Sequence, residues 1–261
     1  MKLYCFFVLA NVGLFDTSNK LLQNDKPCIH ILYEVLLSLF EKLLCRFVKA
    51  GVMSTAKSVL SFDFLDRTNQ KDDANLFIGK EARDFVAKYG NIVDLAKFYT
   101  HVRVYYESIC SYMAKKFPFG DEVLKNATVA DIISKQDAFE FFSVELFLKR
   151  FMLLSNLFAE KNSKDDLEME FIEYQVDKLP EEILSEERLD VQWHLLSQIK
   201  DVTTGKSKYG NLVSFMLAIL VIFHSNVECE WTFSLVTKNK TKYRPNMTTK
   251  TLSSLISHKI T

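Results

Sequence analysis

Glycine and proline are scarce, with seven and four among 261 residues, and that scarcity excludes architectures that turn every few residues, such as β-sandwiches and barrels. Long helices with short connections are expected instead, since Leu, Phe, Lys and Glu are plentiful and 48% of the chain is apolar, enough to bury a sizeable core. Net charge is missing too. With 33 basic residues against 33 acidic ones, the whole molecule has no electrostatic preference for nucleic acid or membrane, and only local patches can supply one. Cysteines, at positions 5, 28, 45, 110 and 229, are odd in number and widely spaced. Most sit in apolar helical stretches, where a thiol acts as a small hydrophobe, and a reducing compartment is the simpler reading. Cys28 and His30 stand too close together for a zinc site and have no second pair, so no metal and no cofactor are expected. The apolar run Leu212 to Phe223 falls well short of the roughly 20 residues a bilayer requires. It reads as a helix buried inside protein, and no membrane partner is expected.

One segment carries two readings. Met1 to Phe15 has a basic start, a short apolar stretch and a small residue at Ala10, as secretory signals do, and sequons at Asn126, Asn239 and Asn246 would accept glycans. The competing reading is a core helix.

What is present is helical periodicity. From Ile31 to Val48 the residues Leu32, Leu36, Leu39, Leu43 and Phe47 recur at three- and four-residue steps, which predicts an amphipathic helix. Leu95 to Phe117 repeats the pattern and stops at Pro118. A third helix is expected over about 138–158, running into a charged, solvated segment from Lys161 to Glu170. A fourth, carrying Trp193, follows the acidic stretch Glu181 to Asp190, which reads as the likeliest joint in the chain. A boundary is therefore placed at residue 180. The loop from Thr203 to Ser207 ends like a phosphate-binding loop, but Lys200 occupies the place of the first glycine and no strand precedes it. Ser61 to Asp66 alternates like a catalytic strand, yet helical sequence follows, so Asp63 and Asp66 are expected to be surface or capping residues.

The C-terminal stretch is the most informative. His224-Ser225-Asn226-Val227-Glu228-Cys229-Glu230-Trp231-Thr232-Phe233-Ser234 is followed by Lys238, Lys240, Lys242 and Arg244, then by a closing Leu-rich segment from Thr249 to Ile256. Ser225 and Glu228 have capping-box spacing, which gives Glu228 a structural role and leaves Glu230 without one. This arrangement resembles the C-terminal dimerisation region of hAT-superfamily DNA transposases, where an apolar helix leads into a Ser-Asn-x-x-x-Glu-Arg-x-Phe-Ser turn, a basic segment and a final Leu-rich helix. Upstream, Leu32-Tyr33-Glu34, Arg46-Phe47-Val48-Lys49, Asn69-Gln70, Leu76-Phe77-Ile78-Gly79, Phe98-Tyr99, Lys116-Phe117-Pro118-Phe119 and Asp201-Val202-Thr203-Thr204-Gly205 extend the resemblance over essentially the whole chain.

The resemblance implies a mostly α fold: a helical insertion-like domain over 1–180, then the C-terminal helices of a ribonuclease-H-like transposase domain, with the dimerisation region over 181–261. In that family two Asp and one Glu hold divalent metal ions that activate water for strand cleavage. Glu230 matches the third carboxylate, although Trp231 replaces the usual arginine. Counterparts of both Asp strands and of the zinc finger are missing from the 261 residues. The expectation is a non-catalytic protein in which Glu230 is a remnant. Pairing as a homodimer, or with related transposase-like chains, is expected through Leu212, Phe215, Leu220, Phe233, Leu235, Leu252, Leu255 and Ile256. Lys238, Lys240, Lys242 and Arg244, with no acidic residue after Glu230, are candidates for weak, salt-sensitive and sequence-independent DNA contact, or for a solubilising surface. The expected location is nuclear or cytoplasmic. Two alternatives stay open: a fragment of a larger active transposase, and a secreted helical protein.

Overall fold

Leu36, Leu39, Leu43 and Phe47 share one side of a helix spanning Ile29–Phe47, and all four are buried. This helix, α2, belongs to a computed structural model that describes residues 1–23, 26–133, 141–159 and 163–222. It is preceded by α1 (Lys2–Leu22) and followed by α3 (Ala50–Thr55), α4 (Lys80–Tyr89), α5 (Leu95–Lys116) and α6 (Glu122–Asn126). The remaining helices are α7 (Phe142–Arg150), α8 (Met152–Leu157), α9 (Ser163–Val176), α10 (Glu181–Leu184), α11 (Leu189–Leu196) and α12 (Gly210–Leu220). Among the described residues no strand forms; two isolated antiparallel bridges, Val48 with Gln70 and Lys200 with Ser207, are the only extended pairings. The fold is mostly α, as expected.

Two apolar clusters share α2 between them. The first gathers α1, α2, α4 and α5 around Phe47, Phe98 and Tyr106, with the Tyr106 ring stacked on Phe47 at 5.5 Å between centroids. The segment with two readings is a core helix here. Leu3 and Phe7 of α1 are each 3% exposed, and the Phe7 ring meets Tyr105 and Tyr106 edge-on at 5.0 and 5.7 Å. No helix among the described residues is long and apolar enough to cross a membrane.

Ala10 of α1 presses against Gly79, where a Cβ would come within 2.3 Å of the Ala10 Cβ. Gly79 also has φ +83, a backbone state that other residues rarely adopt. The next residue, the buried Asn11, donates to Phe7 O at 2.8 Å and accepts from the Arg46 guanidinium. The Tyr106 hydroxyl lies 3.0 Å from Asn11 Oδ1 and 2.7 Å from Phe77 O, and burial pushes its pKa up to about 12. Gln70, also buried, donates to Phe64 O and Glu107, and accepts from Arg67 and Arg103. Asp66 does act as a cap, accepting from the Thr68 amide at the start of a short 3-10 turn over Arg67–Asn69, while Asp63, exposed, accepts from the Leu65 amide within the loop.

α5 ends where Pro118 enforces extended backbone at Phe117, φ −82 and ψ 138. Asp121 then opens α6 by accepting from the Val123 and Leu124 amides. The single helix expected over 138–158 is interrupted. Phe151 adopts φ −117 and ψ 104 between α7 and α8, with its ring near-parallel to Phe147 at 6.2 Å. From Ser163 the charged segment is helical, within α9, with its acidic residues exposed or half-buried and Leu167 buried.

The second cluster draws on α6 to α12, including Phe147, Tyr174, Trp193 and Phe215. Its members lie on both sides of residue 180, and the compact unit extends from Met1 to Ile222. The acidic stretch after Pro180 contains α10, whose Ile183 is buried, so packing continues through the expected joint. The four described cysteines are unbridged; Cys28 and Cys110 are buried, and burial lifts the Cys110 thiol to about 12.

Candidate self-association region

α11 and α12 are apolar helices joined by a tight polar turn, and their seating starts from Trp193. This side chain is fully buried and donates from Nε1 to Ala130 O at 2.7 Å, with Tyr174 of α9 against its ring at 5.3 Å. In the turn, the Asp201 carboxylate accepts from the Thr203 and Thr204 amides at 3.0 and 2.7 Å, which holds it below the usual carboxylate range. Gly205 takes φ +67 and the Lys200–Ser207 bridge closes the loop. The amides that a phosphate-binding loop would turn toward a ligand at residues 203 and 204 are therefore bonded to the loop's own aspartate.

The start of α12 is held by α9. Glu170 accepts from the Leu212 amide and the Asn211 side chain, both at 2.8 Å, capping the helix from a distant segment. Burial raises the Glu170 pKa despite these bonds. Further along, Lys208 Nζ lies 3.8 Å from Glu173 in α9 and 2.5 Å from Asp177 just past the end of α9, and the Tyr209 hydroxyl donates to the same Asp177 carboxylate. The Asp177 hydrogen bond holds Lys208 above its ordinary range, while burial does the same for Tyr209. Sequence reading missed this clasp. The available signal was the spacing of Glu170, Glu173 and Asp177 at three and four residues, which puts three carboxylates on one helix face.

Of the residues expected to mediate pairing, three can be located. Leu212 and Phe215 are 0% exposed and Leu220 is 6% exposed. They face the chain's own core, where Phe215 meets Phe147 and Phe158 edge-on at 6.2 and 6.0 Å. There an apolar helix enclosed on most sides anchors itself with those residues, and α12 exposes Ser214 with Val221 just beyond its end. Phe233, Leu235, Leu252, Leu255 and Ile256 lie outside the described residues, as do Glu230, Lys238, Lys240, Lys242 and Arg244. Among the described residues, no group of three or more His, Cys, Asp or Glu converges as metal ligands would.

No curated protein and no solved structure matches the chain. A family model does: residues 179–259 match the hAT family C-terminal dimerisation region, which starts at Leu179 before α10 and takes in α11, the Asp201 turn and α12. Residues 179–259 are therefore similar to the C-terminal dimerisation region of the hAT family.

Proposed function

We propose that this chain is a transposase-derived, non-catalytic self-association module that pairs with a second copy or with a related transposase-like chain. The observation that carries the reading is the family match over residues 179–259, in a region whose leading helices are anchored to the rest of the chain by Trp193 and the α9 clasp. Fixed seating supports pairing, because an interface already held in place loses less entropy on association. The reading includes a helical insertion domain followed by the closing helices of a ribonuclease-H-like domain. Light scattering on the purified chain from about 1 to 50 μM tests the pairing. The expected result is a mass approaching twice 30.3 kDa; a monomer throughout refutes it.

Glu230 is read as the remnant of a third catalytic carboxylate, because Trp231 stands where the family has an arginine beside the site. Metal-dependent nicking of DNA by the purified chain, abolished by Glu230→Ala, would overturn the non-catalytic assignment. The basic run Lys238, Lys240, Lys242 and Arg244 is assigned to weak phosphate contact. Replacing the three lysines with alanine is expected to weaken duplex binding and flatten its salt dependence; unchanged binding would assign them to solubility. An intracellular site, nuclear or cytoplasmic, is supported by α1, since cleavage near Ala10 would strip Leu3 and Phe7 from the first core. A protease-trimmed N-terminus or glycan on Asn126 in protein isolated from cells would refute that placement.

A further inference from the structure

α9 is apolar on two opposite sides. Leu167, Phe171 and Tyr174 are buried in the second core. Met169, Ile172 and Val176 repeat the same three- and four-residue spacing and are 55%, 46% and 79% exposed. At about 100° per residue the two stripes point in nearly opposite directions. A surface helix that needs only one core has no use for the second, and contiguous exposed apolar side chains mark contact sites.

The charges around the outer stripe restrict what can cover it. Asp165, Asp166 and Glu168 lie beside it, all exposed, and α9 carries five carboxylates against one lysine. Asp165 and Glu168 share a groove with Lys149, Arg150 and Lys164, but α9 itself is net acidic, so the α9 of another copy would bring like charges together. The complementary surface is apolar and basic. This chain encodes one: Leu252, Leu255 and Ile256 are spaced to share one side of a helix, with Lys250 and Lys259 at either end and no acidic residue from Trp231 onward.

We propose that the outward face of α9 receives residues 249–260 of a second copy, reciprocally in the pair. The assignment rests on the self-association reading and adds where the contact lies: Met169, Ile172 and Val176 take up the Leu-rich side, and the flanking acids pair with Lys250 and Lys259. A two-fold arrangement makes each copy both donor and acceptor of the segment, so the contact closes instead of growing into a filament.

Charge exchange in the full-length chain tests this. Asp165→Lys, Asp166→Lys and Glu168→Lys together are expected to weaken self-association in sedimentation velocity by roughly tenfold or more, with the far-ultraviolet circular dichroism unchanged. Lys250→Glu with Lys259→Glu should weaken it likewise, and mixing the two variants should restore association as mixed dimers, because both contacts are then complementary again. Ile172→Ser, a single exposed change, should also weaken pairing and guards against misfolding of the triple variant. A dimeric wild type whose α9 variants pair normally, or a mixture that regains nothing, overturns the assignment while leaving self-association intact. A monomeric wild type removes the underlying reading itself.

Discussion

Trp193 shows how much of the second core depends on single atoms. Its ring fills the space beside Tyr174 and its Nε1 satisfies the carbonyl of Ala130. Trp193→Phe keeps most of the apolar volume but leaves that carbonyl buried without a donor, so urea denaturation should show a loss of about 1 to 3 kcal/mol. A loss no larger than that of an exposed substitution would mean the bond is replaced by water. Glu170 makes a prediction with a definite sign. Burial raises its pKa above the ordinary 4.5, so between 4.5 and the raised value the folded chain holds a proton that the unfolded chain has released. Its contribution is therefore greatest below that window and declines as pH rises through it. Asp66, Asp190 and Asp201, whose pKa values are lowered, contribute in the opposite sense, losing stability as pH falls. Glu170→Gln keeps an acceptor for the Leu212 amide but cannot titrate. The stability difference between wild type and variant should shift in favour of wild type as pH falls from about 7 toward 4.5; a difference independent of pH would remove the titration argument.

At the scale of elements, α1 against α4 is the tightest approach. Gly79→Ala would drive its Cβ into Ala10 and force φ +83 on a residue that avoids it. A loss of about 1 to 3 kcal/mol in thermal or urea unfolding is expected, and a neutral effect would show that α1 can shift away. What the sequence displayed at this scale was local. α2 and α5 follow their apolar periodicity, Pro118 stops α5, and Asp66 caps, because each signal acts within a few residues. The break at Phe151 was not legible: no glycine or proline marks it, and the apolar pattern continues through it into α8. The α9 clasp was hidden for a different reason. Glu170 and Leu212 are distant in the chain, and periodicity says which face is polar without saying what it meets. Reading the segment after Lys161 as solvated surface also obscured the two apolar stripes of α9, which cancel in any measure of one-sidedness.

For the whole molecule, the family region could be recognised from its turn and basic run, but the division of labour inside it could not. Leu212, Phe215 and Leu220 read as pairing residues because apolar residues of a core and of an interface are the same types, and all three are buried against the chain's own core. If the pair forms as proposed, association stabilises the folded chain by mass action. The midpoint of thermal unfolding should then rise with protein concentration in wild type and stay flat in Ile172→Ser, as read by scanning fluorimetry across a hundredfold dilution range, roughly. A flat wild-type series would count against a folded dimer.

The doubly apolar α9 also turns the helix into a record of use. Replacing Met169, Ile172 or Val176 with a polar residue costs a solitary chain little, since water already reaches all three. A lineage that no longer pairs would let those positions wander toward lysine, glutamate and serine while Leu167, Phe171 and Tyr174 stayed fixed by folding. In populations that carry this gene, the ratio of change at the outer stripe to change at the inner one measures whether pairing has been kept under selection.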